Sequence, residues 1–536
     1  MTTVLIPPPP SFQLPDKFSV WRPLQASSVL EIIDLERRFL GQVQPTGSGK
    51  SLTYMAAGYI SGARTIILTS TKALQSQLTA DFAEIGLTDI RGMNSYECKV
   101  ATEDQRRRVT VDEGPCHFGY SCPIKQNGCL YYDQVRRAKA AKLVVTNYDY
   151  WMAINRYSDP EEGGIGKFEL LVLDEAHAAP GELADFCAIT IEREDIEGAL
   201  GSPWPAGESW GTDEWRVWAK PLSVRALARY SDLQQQVQER TRVQDRASPS
   251  MMRELRRLSG LVRKLEEAAS LDGKWVGEVD KGILTLAPLW AMGYAERFLF
   301  VGIGRVILTS APIRPKTMGM LGIPQDTSSF VEYPSTFPIT SRPVIHIPTA
   351  RVTFRSTEAD MRQWTSRIDQ IIRARQDRKG IIHTVSYARR NQVLSVTKFR
   401  DQMFSHDSRT ARSAVEAFKR AKPPAVLISP SMVTGYDFPY QTCEYMIVGK
   451  IGFMDTRSAI EKARSEDDRE YVAYEAMQQL VQACGRGMRA EDDRCQVMVI
   501  DDNAKWFVPK NGHFAPKWFS EAWVWGSTVP KPLEKL

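Results

Sequence analysis

Long apolar stretches are missing from this chain. The longest, such as Leu170-Leu-Val-Leu173, are strand-sized and far short of the roughly 20 residues that cross a bilayer. The start, Met1-Thr-Thr-Val-Leu-Ile6, runs straight into Pro7 to Pro10, with neither a basic leader nor a signal-peptide core. The expectation is an intracellular, cytoplasmic protein without membrane association. Charge of one sign is nearly absent too: 69 Lys and Arg against 64 Asp and Glu leave +5. That balance is compatible with a nucleic-acid partner but does not argue for one. Cysteine is sparse, eight in 536 residues. In a reducing compartment these are thiols or metal ligands rather than disulfides. No internal repeat of solenoid period occurs. What remains, 43% hydrophobic and 25% charged residues, is an ordinary globular composition with material for several cores.

Short β-rich runs recur between amphipathic stretches: Thr65–Thr69, Leu143–Thr146, Leu170–Leu173, Val306–Thr309, Ile381–Thr384, Val426–Ile428, Tyr445–Val448 and Val497–Ile500. Strands alternating with helices predict parallel sheets covered on both faces. From about Glu182 to Asp280 the rhythm breaks. That stretch reads as helical, with Leu222, Leu227, Leu233, Val237, Leu255, Leu258, Leu261 and Leu265 on one stripe.

Gln44-Pro-Thr46-Gly47-Ser48-Gly49-Lys50-Ser51 follows the phosphate-loop pattern, with Gln44 at the first glycine position. Gly47 and Gly49 permit a wrap that aims amides at a polyphosphate, Lys50 brings a charge to the β- and γ-phosphates, and Ser51 offers a hydroxyl to magnesium. Downstream, Asp174-Glu175-Ala-His177 ends an apolar strand, where ligands of parallel sheets bind. Asp174 suits the magnesium ion and Glu175 the deprotonation of an attacking water. In Gln482-Ala-Cys-Gly-Arg486-Gly-Met-Arg489, two guanidiniums three residues apart share a helix face, placed to neutralise a transferring phosphoryl group.

Asp-Glu-Ala-His resembles the signature box of superfamily 2 helicases, and further motifs follow in order. Arg22-Pro-Leu-Gln25 resembles the motif that reads adenine, Thr69–Leu78 motif Ia, Leu308–Pro312 motif III, and Gly380–Tyr387 motif IV. Ser429 through Gly435-Tyr-Asp437-Phe-Pro439 resembles motif V, and Gln482–Arg489 motif VI. The resemblance implies that Lys50, Asp174, Glu175, His177, Gln482, Arg486 and Arg489 carry catalysis. It also implies that Arg22, Gln25, the loop 46–51, Gly435 and Asp437 bind ATP, with Mg2+ on Ser51 and Asp174.

Between phosphate loop and acidic box, Cys98, Cys116, Cys122 and Cys129 are spaced C-x17-C-x5-C-x6-C. Thiolates suit zinc or iron–sulfur clusters, and the spacing departs from structural zinc pairs. Buried structural thiols are the plain alternative. Their position resembles the XPD/DinG family of iron–sulfur helicases, which implies a 4Fe–4S cluster, a wedge beside it and 5′→3′ translocation on single-stranded DNA. That family pattern gives two RecA-like parallel-sheet motor domains in an α/β chain: a first at 1–95, 130–181 and 283–315, and a second at 316–536. A four-cysteine domain (96–132) and a helical Arch (182–282) are inserted in the first. Cys187, Cys443, Cys484 and Cys495 match no ligand position.

For DNA contacts, the basic Arch residues Arg240, Arg242, Arg246, Arg253, Arg256, Arg257, Arg263 and Lys264 stand beside diluting acids, so a solvated face is the alternative to a DNA grip. Arg106–Arg108, Phe118, Tyr120, Tyr131 and Tyr132 read as wedge or as packing. The chain is thus expected to be a monomeric ATP-dependent helicase on single-stranded and forked DNA, with possible loading proteins as partners and DNA repair among its fitting roles. A zinc-containing RNA helicase, or a scaffold uncoupled by Pro312 in motif III, are the rival readings.

Overall fold

A computed structural model describes residues 6–105, 108–114, 116, 121–158, 164–205, 210–244, 249–407, 409–430, 438, 440–455, 457–487 and 492–534. The side chains of 104, 105, 241–244, 249 and 486 are outside that description. Five strands open the first sheet: β1 (Phe39–Val43), β2 (Thr65–Thr69), β3 (Thr88–Asp89), β4 (Leu143–Asn147) and β5 (Leu170–Asp174). Strands β6 (Ile189–Glu192), β7 (Trp275–Asp280) and β8 (Ile283–Pro288) form a separate antiparallel sheet ordered β6-β8-β7. The chain then returns with β9 (Arg305–Ser310) and β10 (Ser328–Glu332), completing a seven-stranded parallel sheet ordered β10-β1-β9-β5-β2-β4-β3.

A second seven-stranded parallel sheet holds β11 (Val344–Ala350), β12 (Lys379–His383), β13 (Met403–Ser405), β14 (Ala425–Ser429), β15 (Tyr445–Val448), β16 (Gln496–Asp501) and β17 (Trp523–Trp525). Its order is β13-β14-β12-β15-β16-β11-β17. Both central regions are apolar runs buried on both faces, the pattern that helix-covered parallel sheets require. These are two RecA-like lobes, as expected for the fold class.

Two expectations are corrected. The stretch 182–282 is not wholly helical: its long helices, Thr212–Gln244 and Pro249–Ala269, stand on the β6-β8-β7 sheet. Their core gathers Trp215, Leu222, Leu261 and Leu265 over Leu284 and Leu286, whereas Leu227 points to solvent. Gly277 makes this possible, since a Cβ there would lie 2.5 Å from the Trp215 ring. The first sheet also extends beyond residue 315. β10 pairs with β1, and its half-buried Ser-Ser-Phe-Val-Glu run carries too little apolar character to read as a strand.

Register sets the chemistry. β1, β9 and β5 lie side by side, with Val43 opposite Ser310 and Asp174 opposite Thr309. The phosphate loop, motif III and the acidic box therefore leave the carboxyl ends of three adjacent interior strands together. The lobes share a continuous apolar core, and the Trp518 indole donates to Ala311 O across the seam at 3.1 Å. Among the described residues no helix is long and apolar enough to cross a membrane.

Candidate active site

β1 runs into Gln44, and the loop turns through Gly47 (φ 81°) and Gly49 (φ 80°) into the helix Lys50–Ser61. Both glycines occupy the left-handed region that side chains resist. A Cβ on Gly49 would meet the Gln25 amide at 2.3 Å. Gln25 Nε2 donates to Ser48 O at 2.8 Å and Gly49 O at 3.2 Å, and Arg22 Nη1 donates to Gly47 O. The motif at Arg22 and Gln25 thus holds the carbonyls of Gly47, Ser48 and Gly49 and fixes the loop's shape.

Gln44 has a structural role that sequence reasoning missed. Its amide donates to Ser28 Oγ at 2.7 Å, Ser28 donates to Gln42, and Gln42 reaches Glu31, which also accepts from the Tyr333 phenol of the loop after β10 at 2.6 Å. This buried polar chain locks the helix Gln25–Ile33 to the strand that launches the loop. The signal was present: two glutamines in and after a fully buried strand need partners.

Asp174 is buried at the tip of β5. The Tyr54 phenol donates to its Oδ2 at 3.1 Å and the Glu175 amide to its Oδ1 at 3.0 Å. Tyr54 stands one turn past Lys50 on the same helix face. Burial pushes the Asp174 carboxyl up to about 7, Glu175 pushes the same way, and Lys50 opposes them. A buried carboxylate within range of a lysine and beside a second carboxylate is set up to gain from a divalent cation.

Glu175 adopts φ 52°, which turns its side chain toward the opposite lobe. Its Oε2 accepts from Ser310 Oγ at 3.0 Å and from Gln482 Nε2 at 2.8 Å. His177 completes the group: Nδ1 lies 2.8 Å from Ser310 Oγ, and Nε2 lies 3.1 Å from Gln482 Nε2. Gln482 sits at the end of the helix Tyr471–Cys484 of the second lobe. Immediately beyond, a Cβ on Gly485 would be 2.7 Å from Thr46 Oγ1, so the two lobes touch at the phosphate loop itself. The Arg486 side chain, Arg489, Gly435 and Asp437 lie outside the described residues.

Cys98 and Cys129 are buried and Cys116 and Cys122 half-buried, all as free thiols. Burial pushes the Cys98 and Cys116 thiols up, and Cys122 and Cys129 push the same way, so the four are electrostatic neighbours. A Cβ on Gly114 would lie 2.8 Å from Cys98 Sγ, a gap kept open by glycine. Among the described residues no three His, Cys, Asp or Glu side chains stand at metal-ligand spacing. The thiolate donor set fits an iron–sulfur group in chemistry and neighbourhood, though not in closed ligand geometry.

The remaining expectations divide. Tyr131 is buried, bonded to the Tyr150 phenol at 3.2 Å and edge-on to Tyr96, so it packs. Arg256 bonds Asp112 and Arg263 lies over Tyr157, so these two dock the Arch onto its neighbours, whereas Arg257 bonds Asp195 within the Arch itself. In motif Ia, Gln75 is buried and donates to Ile90 O, whereas Lys72 is exposed. Arg106, Arg107, Phe118, Tyr120, Arg242 and Arg246 fall outside the described residues or side chains.

Two family models match: a helicase C-terminal domain over residues 368–522, and the res subunit of type III restriction enzymes over 19–195. No curated protein matches the chain. Among solved structures, an XPD helicase superposes with TM-score 0.63 at 13% identity, over 94% of this chain and 99% of the other. Xpd4 of S. tokodaii gives 0.59 at 12% identity, over 94% and 100%. An apo XPD structure gives 0.58 at 14%, over 92% and 98%. The chain therefore shares the fold of these XPD structures, and its second half is similar to a helicase C-terminal domain.

Proposed function

We propose that this chain is an ATP-dependent DNA helicase that moves 5′→3′ along single-stranded DNA and separates forked duplexes. The observation that carries the reading is the contact of Gln482, from the second lobe, with Glu175 and His177 at the tip of the first. A residue of one lobe bonded to the water-activating carboxylate of the other makes hydrolysis depend on how the lobes sit. In this reading Thr46 to Ser51 wrap the phosphates, and Lys50 neutralises them. Ser51 and Asp174 hold Mg2+, and Glu175 takes the proton of the attacking water. Arg486 and Arg489 stabilise the transferring phosphoryl, with Gly435 and Asp437 completing the ATP cleft. When ATP binds, Gln482 is drawn toward the nucleotide and releases Glu175 to the water. After hydrolysis the pair reforms, and the alternation of grip between lobes becomes stepping.

Cys98, Cys116, Cys122 and Cys129 would hold a 4Fe–4S cluster, which supplies a rigid staple for the segment facing the Arch. The four-cysteine segment, the Arch and the two lobes form the working divisions of the molecule. Unwinding of 5′-tailed against 3′-tailed DNA duplexes tests activity, polarity and substrate together. The 5′-tailed substrate is expected to open and the 3′-tailed one to stay closed. Opening of the 3′-tailed duplex alone, or of RNA only, overturns the reading.

A further inference from the structure

The helix Tyr471–Cys484 ends in the active site, and its other end is held by the Arch base. Its 14 residues span about 21 Å at 1.5 Å per residue. At the far end, the preceding helix Ala459–Asp467 lies against the β6-β8-β7 sheet, on which the Arch stands. Ser458 Oγ donates to Glu278 Oε2 of β7 at 2.6 Å. Arg464 Nε donates to Leu289 O at 3.0 Å, and the Trp290 indole donates to Asp467 Oδ2 at 2.8 Å. The Trp290 ring stands edge-on to Tyr471, the first residue of the motif VI helix, at 5.2 Å and 87°.

The first lobe grips the same end. Lys316 Nζ lies 2.7 Å from Asp468 and 3.2 Å from Glu470, and Thr317 bonds the Tyr474 phenol. Both come from the short helix Pro315–Met320, which follows motif III by three residues. Arg464 is nearly buried among carboxylates of both lobes: it pairs with Glu461 at 3.0 Å, and its charge acts on Asp185 and Glu475.

We infer that the motif VI helix and the helix before it form a coupling rod: Gln482 reports the nucleotide state at one end, and the clasp of Asp467 and Arg464 on Trp290 and Leu289, which directly follow β8 of the sheet under the Arch, passes that movement to the Arch at the other. The inference rests on the helicase reading above. The motif VI helix is unbroken from Tyr471, which meets the Trp290 ring, to Gln482, and residues 468–470 join it to the helix that carries Arg464 and Asp467, so its two ends are held by specific rather than merely apolar contacts. Asp467 is exposed and touches neither nucleotide residues nor the motor cores, so it acts by positioning.

Three variants test this: Asp467→Ala, which removes the indole's acceptor, Asp467→Asn, which keeps one, and Trp290→Phe, which removes the same bond from the segment after β8. For each, ATP hydrolysis with single-stranded DNA and unwinding of a forked duplex are measured on the full chain. Asp467→Ala and Trp290→Phe are expected to hydrolyse ATP within twofold of the parent while unwinding at least tenfold more slowly, so the ATP spent per opened base pair rises. Asp467→Asn is expected to recover to within threefold, and the double variant to be no worse than either single one. The proposal is overturned if unwinding stays normal, if hydrolysis and unwinding fall together, or if asparagine recovers nothing. If the parent chain shows no DNA-stimulated hydrolysis, it is the helicase reading that fails, and the rod with it.

Discussion

At the scale of single residues, the account turns on a small polar group. Glu175, His177 and Ser310 belong to one lobe, Gln482 to the other, and all are linked by contacts of 2.8–3.1 Å. The lobes approach so closely here that one hydrogen atom's replacement matters. Gly485→Ala places a methyl 2.7 Å from Thr46 Oγ1, closer than real side chains come, and 3.1 Å from its Cγ2, so Thr46 must shift. ATP hydrolysis is expected to fall at least tenfold, about 1.4 kcal/mol of barrier. Thr46→Ala in the same chain is expected to restore part of the loss, and steady-state kinetics of the two variants check both. Most of these residues were legible in the sequence because phosphate chemistry imposes fixed spacings around Lys50, Asp174 and Gln482. The supporting partners were not. Tyr54, Ser28 and Tyr333 carry no spacing of their own, and only the fold brings them to Asp174 and Gln44.

At the scale of elements, helix Tyr471–Cys484 carries both a site residue and a buried charge. Burial and the neighbouring Glu461 push the Glu475 carboxyl from 4.5 up to about 7, against the pull of Arg464. Because its folded value lies above the unfolded one, folding takes up a proton between these values. The stability this gives is full below pH 4.5 and is lost as pH rises through 7. Glu475→Gln keeps the shape and removes the titration. Its melting temperature is expected to exceed the parent's by roughly 2 °C or more at pH 8, with the gap closing toward pH 5. Equal curves at both pH values would contradict the assignment. The eight β-rich runs read from the sequence all fall on strands, Thr384 alone standing one residue past the end of β12, since each run is largely apolar and buried. β1 escaped notice because Gly41 and Gln42 interrupt it, and Gly41 is fixed by packing: a Cβ there would lie 2.7 Å from the Phe330 ring. Of the strands under the Arch, β6 and β7 alternate buried and more exposed residues and are separated by the two long helices, so a helical period masks them.

At the scale of the whole molecule, the Arch is tied to each of its neighbours: Arg256 to Asp112 beside the cysteines, Glu267 to Arg156 on the first lobe, and Glu278 to Ser458 on the second. Asp112 lies four residues before Cys116, so order among the cysteines and the seat of the Arch tip are mechanically linked. Cys116→Ser is expected to lose iron and sulfide, together with unwinding of forked DNA, while hydrolysis of ATP persists because the nucleotide residues stand elsewhere. Full iron content in that variant would contradict the four-cysteine reading. The sequence order of the cysteines was plain, but their neighbourhood was not: 30 residues separate Cys98 from Cys129, and only the fold of the segment brings them within electrostatic range.

The central claim is a motor whose two lobes share one nucleotide. Its most direct test is the steady-state rate of ATP hydrolysis by the purified chain with and without single-stranded DNA, beside Lys50→Ala. The account predicts hydrolysis that rises several-fold with DNA and disappears in the alanine variant. A rate indifferent to DNA, or one that survives the loss of Lys50, would contradict it.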